Sequence, residues 1–232
     1  MINIIPANQR AFRDYGWLKT YWLFSFSDYN DSDNMQFGPL RVFNDDLIFP
    51  DSGFPTHPHR EMEIITIVNH GEITHEDSTG HKGVIKAREI QRMSAGTGIL
   101  HSEFNLSKEN LQLFQIWILP DEEGLKPSYE EKSLFEFSFT NKLTPVASGQ
   151  GKKDTLFFHT DATIYLSELS RNHELDYEAE DSRKIFIYVQ YGKIEVNGEE
   201  LSSKYQARIS NEKELVIQGL EDSGFILIDL PE

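Results

Sequence analysis

Apolar and polar positions along this chain alternate mostly with a period of two, the spacing of a half-buried strand. Residues 63–71 are rich in β-branched side chains and stop at a glycine. Residues 72–77 follow and run into the turn signal Ser78-Thr79-Gly80. Residues 113–119 form a second apolar run, closed by Pro120. Residues 184–192 and 193–198 repeat the order strand, glycine, strand, turn. No segment of helix length carries a convincing 3.6-residue period. Many short strands with regular turn signals predict an all-β protein built as a sandwich or barrel.

A weak internal repeat refines this. Phe114-Gln115-Ile116-Trp117-Ile118-Leu119-Pro120 resembles Phe225-Ile226-Leu227-Ile228-Asp229-Leu230-Pro231. The run ending at Gly71 likewise resembles the run ending at Gly192. A spacing of about 110–120 residues suggests two copies of one β-domain. The expected division is a first barrel over 1–120, a linker over 121–144 and a second barrel over 145–232. Pro120, Gly124, Pro127 and several charges mark the linker.

Composition then removes whole classes of function. With 22 Lys+Arg against 38 Asp+Glu in 232 residues, the formal net charge is −16. Direct binding to a nucleic-acid backbone needs clustered cations and is not expected. Anionic membrane surfaces are disfavoured for the same reason. Cysteine is absent, which excludes disulfides, thiolate nucleophiles and cysteine-ligated metal sites. No apolar run approaches the ~18 residues of a membrane helix. Pro6 interrupts the N-terminal apolar cluster, so no signal peptide is read and a cytoplasmic location is expected.

The histidines are unevenly placed: six of the eight fall between positions 57 and 101. His57-Pro58-His59 sets two imidazoles at i and i+2, and His101-Ser102-Glu103 sets an imidazole and a carboxylate the same way. On a strand, i and i+2 share a face. Two such pairs on neighbouring strands make a three-histidine, one-carboxylate site, which suits Fe, Mn, Ni, Cu or Zn. The carboxylate is open at this point, because Glu63 and Glu61 have the parity of His59 as well. His70, His75 and His81 lie near turns and are expected to be solvated. Gly96 and Gly98 precede His101 and allow a tight turn that aims it inward. Asn105 follows His101 at i+4.

The pattern His-x-His-x3-Glu, then Gly-x-Gly-x2-His-x3-Asn, resembles the two motifs of the cupins. Longer stretches resemble the pirin family within them. These are residues 53–64, Glu76-Asp77-Ser78-Thr79-Gly80, and residues 91–103. Tyr15-Gly16-Trp17-Leu18, Phe24-Ser25-Phe26 and Leu40-Arg41-Val42-Phe43-Asn44-Asp45-Asp46 belong to the same resemblance. It is strong over about the first 120 residues. One departure is Arg88-Glu89, where the family usually has Gly-Asp.

The resemblance implies a bicupin, two face-to-face β-barrels of jelly-roll type, with metal only in the first. Its ligands fall on His57, His59, His101 and Glu103, which favours Glu103 over Glu63. The second half has only His159 and His173, in no ligand-like pair. The implied cofactor is one divalent transition metal, iron first, with nickel, cobalt, manganese, copper and zinc also compatible. The implied activity is that of a quercetin 2,3-dioxygenase, which opens a flavonol ring with O2 and releases carbon monoxide. Flavonol or catechol-like substrates imply an aromatic-lined mouth, with Phe54 the first candidate by its nearness to His57. Glu103 is the member of the set that can both ligate and accept the substrate's proton. The alternative is a non-enzymatic, redox-sensing pirin that acts as protein partner of transcription regulators. A barrel that has lost its metal chemistry is a third reading.

Overall fold

The strand Leu40–Ile48 shows how the period of two is used. Val42, Asn44, Asp46 and Ile48 share one face and all are buried, while Leu40, beyond a bulge, packs on the side of Phe43. The opposite face carries Phe43, also buried, and Asp45, which accepts a hydrogen bond from Tyr188 Oη far along the chain. Both faces are therefore covered, one by the barrel interior and one by the other half of the protein. The same holds for Glu63–His70, which is why its sequence reads as a continuous apolar run.

The computed structural model describes residues 1–232: twenty-one strands, one 3-10 turn at Ala7–Gln9 and no α-helix. No helix is long and apolar enough to cross a membrane. The strands form four antiparallel sheets. In the first half, a seven-stranded sheet runs in the order Ser128–Ser133, Glu89–Ser94, Glu63–His70, Leu111–Ile118, Leu40–Ile48, Leu18–Trp22, Ala11–Asp14. A four-stranded sheet of Ser52–His59, Ile99–Asn105, Glu72–Asp77 and Lys82–Lys86 accompanies it. The second half repeats the scheme with a six-stranded and a four-stranded sheet. This is the all-β bicupin, two barrels of jelly-roll type facing each other.

The large sheets meet through a cluster of 23 buried apolar residues drawn from both halves. Phe43 and Phe114 pack there against Phe186 and Tyr188, with ring centroids 5.4 Å apart for Phe43 and Phe186. Burying one such ring contributes roughly 1.5–3 kcal/mol, so this seam is a main source of stability. The repeated sequences hold equivalent places. Leu111–Ile118 pairs with Glu63–His70, and Ser223–Leu230 pairs with Lys184–Tyr191. Gly71 and Gly192, which end the two partner strands, have φ of 78° and 75°.

Two short strands depart from the division read in the sequence. Ile2–Ile5 pairs with Gln206–Ser210 and so joins a sheet of the second half. Its few apolar residues cover an edge that would otherwise be open. Ser128–Ser133, inside the expected linker, is the edge strand of the seven-stranded sheet. Glu130, Glu131 and Lys132 hide its strand character, and charges of this kind guard an edge against further pairing.

The two interiors differ. The second barrel is filled by 15 buried apolar residues. The first has apolar clusters of seven and four residues toward its two ends. Between them a polar row crosses the sheet in direct register: Asn44 opposite Gln115, Gln115 opposite Thr66, Thr66 opposite Gln91. All four are buried.

Candidate metal centre

Strand register assembles the histidines. His57 lies directly across from His101 on the paired strands Ser52–His59 and Ile99–Asn105. His59 follows at i+2 on the same face. The three imidazole centroids are 4.4–4.8 Å apart, and their nearest nitrogens lie within 4.8 Å of one another. A bulge between His101 and Glu103 shifts the pairing, so that Glu103 stands opposite Phe54 on one side and His75 on the other. Glu103 joins the cluster through His101, in a second group completed by His75. The turn before His101 needs Gly96, whose φ is 45° and where a Cβ would come within 2.0 Å of the Leu125 carbonyl oxygen. Arg88 keeps the turn at its position with φ 63°, so the Arg88-Glu89 departure leaves the cluster untouched.

The donor atoms are prepared for a cation. His57 Nδ1 donates to the Pro55 carbonyl at 2.8 Å, which leaves Nε2 as the free lone pair. Both ring nitrogens of His101, and Oε1 of Glu103, are buried without a hydrogen-bond partner. Such orphaned atoms are costly unless something else satisfies them. Burial, reinforced by the neighbouring His57, pushes His59 down to about 4. Burial, with His57, His59 and His75 close by, pushes His101 down to about 2. Both rings are thus neutral at pH 7, the form that binds metal. Glu103 is raised to about 7 by burial and by Asp46, against the amides of Gln91 and Gln115. Gln115 Nε2 donates to its Oε2 at 2.8 Å, and Gln115 Oε1 accepts from Trp117 Nε1 at 3.2 Å. Three imidazoles and one carboxylate fit a divalent transition metal.

A cavity of about 410 Å³ opens on this cluster, lined by His57, His59 and Glu103 among others. That volume suits a small-molecule ligand. Phe54 lines it, edge-on to Trp17 at 5.2 Å. Beyond Phe54, all three tryptophans, Trp17, Trp22 and Trp117, line the same space. Trp22, Phe26, Trp117 and His59 form an unbroken chain of edge contacts at 4.7–5.4 Å. Trp17 and Phe26 lie in stretches that carry the family resemblance, but nothing local shows that they meet Trp117, which comes from a strand far away in sequence.

The other candidates serve elsewhere. Arg60 and Glu61 turn the chain, with Glu61 at φ 48°, so strand parity does not carry from His59 to Glu63. Glu61 accepts from the Gly124 amide. Glu63 is buried, accepts from Ser94 Oγ at 2.7 Å and lies 3.1 Å from His159 Nδ1, tying the two halves together. Asn105 Nδ2 donates to the carbonyls of Ile48 and Glu109 and holds a turn. His70 is exposed, as expected. His75 is not: it is fully buried, 3.4 Å from Asp77 Oδ2, and its basicity is lowered by that burial. His81 is half-buried and stacks on Tyr129 at 3.6 Å. The His75-x-Asp77 spacing was the available signal, since i and i+2 aim both side chains inward.

One pH dependence follows from the cavity. Burial lifts Asp46 from the ordinary 3.8 to about 7, with the Thr20 hydroxyl opposing and Asp45 adding. The folded chain therefore holds this proton more tightly than the unfolded chain. The resulting stabilisation is complete below pH 4 and is lost as pH rises through 7. Asp46→Asn lacks that loss. In metal-free protein, thermal melting should show the variant gaining on wild type between pH 4 and 8, by up to a few kcal/mol. A difference that does not change with pH would refute this account of Asp46.

Comparisons with known proteins agree with the fold. The pirin family model matches residues 6–118, and a quercetinase C-terminal cupin domain model matches residues 145–230. A pirin-like protein of Caulobacter vibrioides is 41% identical over 230 residues, covering 99% of each chain. A quercetin 2,3-dioxygenase of Escherichia coli is 39% identical over 232 residues, covering 100% of this chain and 99% of that one. The crystal structure of the bacterial pirin YhhW from Escherichia coli in complex with nickel(II) superposes with a TM-score of 0.95. It is 39% identical and covers 100% of this chain and 99% of its own. Near full-length identity of this size, with one shared fold, places the chain in the pirin family of the cupins.

Proposed function

We propose that the protein is a metal-dependent dioxygenase that cleaves flavonols such as quercetin with O2 and releases carbon monoxide. The observation that carries this reading is the opening of the His57, His59 and His101 cluster, with Glu103 adjoining it through His101, into an aromatic-walled cavity. His57, His59, His101 and Glu103 would hold the metal, with iron proposed first; the nickel complex belongs to the relative. The metal would supply a positive charge that favours the ionised 3-hydroxyl of the substrate and a place for its oxygens.

The chain's own residues do the rest. The tryptophans and Phe54 hold the flat ring system and keep water away from it. Gln115 holds Glu103 through Oε2 and so orients the carboxylate that takes the 3-hydroxyl proton. Residues 1–120 are proposed as the metal-holding unit and 145–232 as a unit without metal, whose interior is filled by apolar side chains. The test is quercetin consumption by metal-loaded protein. It should proceed under air and stop under nitrogen; equal loss under both gases would contradict an oxygenase.

A further inference from the structure

Three buried oxygens in the same cavity lack a hydrogen bond of normal geometry. Thr20 Oγ1, Asn44 Oδ1 and Asp46 Oδ1 are enclosed; the Thr20 hydroxyl and the Asp46 carboxyl only come near enough to influence each other. Their residues are 0%, 5% and 3% exposed, and all three line the cavity beside the candidate metal centre. Register brings them together. Thr20 stands directly across from Asp46, and Asn44 lies between Trp22 and Gln115 in one row. Leaving such groups unpaired weakens the fold, and replacing them by apolar groups of equal shape would be neutral or stabilising. Unpaired buried groups of this kind point to a bound partner.

The chemistry of that partner can be read from theirs. All three oxygens accept hydrogen bonds, so they complement a molecule rich in donors. The surrounding Trp17, Trp22 and Phe54 rings favour a flat one. Hydroxyl groups on the edge of an aromatic ring meet both demands. We infer that Thr20, Asn44 and Asp46 form a subsite that reads the additional hydroxyls of a polyhydroxylated aromatic substrate. It selects such a molecule over analogues that carry only the hydroxyl at the metal. This rests on the proposed reading that the cavity holds a planar substrate at that metal.

The test compares quercetin with 3-hydroxyflavone, which keeps the flavonol core and its 3-hydroxyl but has no other. Dissociation constants are measured on metal-loaded protein without oxygen, through quenching of tryptophan fluorescence. Wild type should prefer quercetin by about 10-fold or more, because 3-hydroxyflavone leaves the oxygens unpaired. Thr20→Val and Asp46→Leu should each reduce that preference to under about 3-fold, with 3-hydroxyflavone binding nearly unchanged. Ligand-free melting temperatures of the variants should not fall at neutral pH, which separates recognition from a structural role. If Asp46→Leu fails to fold, the isosteric Thr20→Val decides. Wild type without a preference, or folded variants that keep it, would overturn the subsite. Turnover in air is scored separately. A preference in binding with no turnover leaves the subsite standing and removes the oxygenase reading. Turnover of both compounds with equal affinity does the reverse.

Discussion

Replacing His57 and His101 together by alanine is expected to abolish metal binding while the barrels stay folded. The two rings face each other across one strand pair and supply two of the three neutral nitrogen donors. What remains is His59 and Glu103, one nitrogen and one carboxylate. Altering even an outer partner of a ligand costs about 10–100-fold in metal affinity. Losing two ligands should therefore lower affinity by well over about 100-fold. Elemental analysis of purified protein should fall from one metal per chain to a trace, and quercetin turnover should disappear with it. The fold has less to lose. His101 buries two unpartnered nitrogens, so the cavity left by truncation is partly offset by removing them. Stoichiometric metal in the double variant would remove the assignment of these residues as ligands.

Glu103→Gln separates holding a metal from moving a proton. The amide keeps the shape and one oxygen, and it can still meet the Gln115 amide. It lacks a basic oxygen of comparable strength. If Glu103 accepts the 3-hydroxyl proton, turnover per bound metal should drop by roughly 10²–10⁴-fold at full occupancy. His57→Ala should behave differently, because a neutral ligand has no second role and its activity should track occupancy. The measurement is turnover divided by metal content for both variants across pH. Equal turnover per metal in wild type and Glu103→Gln would reduce Glu103 to a ligand.

The sequence made the strands and the histidine pairs legible because both depend on short-range parity. Two residues apart on a strand means one face, and that rule places His57 beside His59 and His101 beside Glu103. Parity fails where the chain turns. Glu63 had the right count from His59, but the turn at Arg60 and Glu61 sends it to another sheet, where it meets Ser94 and His159. His75 sits near a turn signal in the sequence, and its register opposite Glu103 shows that it faces the interior. The cavity wall was least legible. Trp117 joins Trp17 and Trp22 through the pairing of Leu111–Ile118 with Leu40–Ile48, strands about 70 residues apart in sequence, which no local pattern encodes. Thr20, Asn44 and Asp46 look like ordinary polar positions until the sheet places them inward and leaves their oxygens unpaired.

The most direct test of the account is carbon monoxide released per quercetin consumed, measured in air on the same protein before and after chelation. The account predicts equal amounts of carbon monoxide and consumed quercetin in the metal-loaded protein. It predicts neither in the chelated protein, and recovery of both when metal is restored. Metal-loaded wild type that leaves quercetin intact, or that consumes it without releasing carbon monoxide, would contradict it.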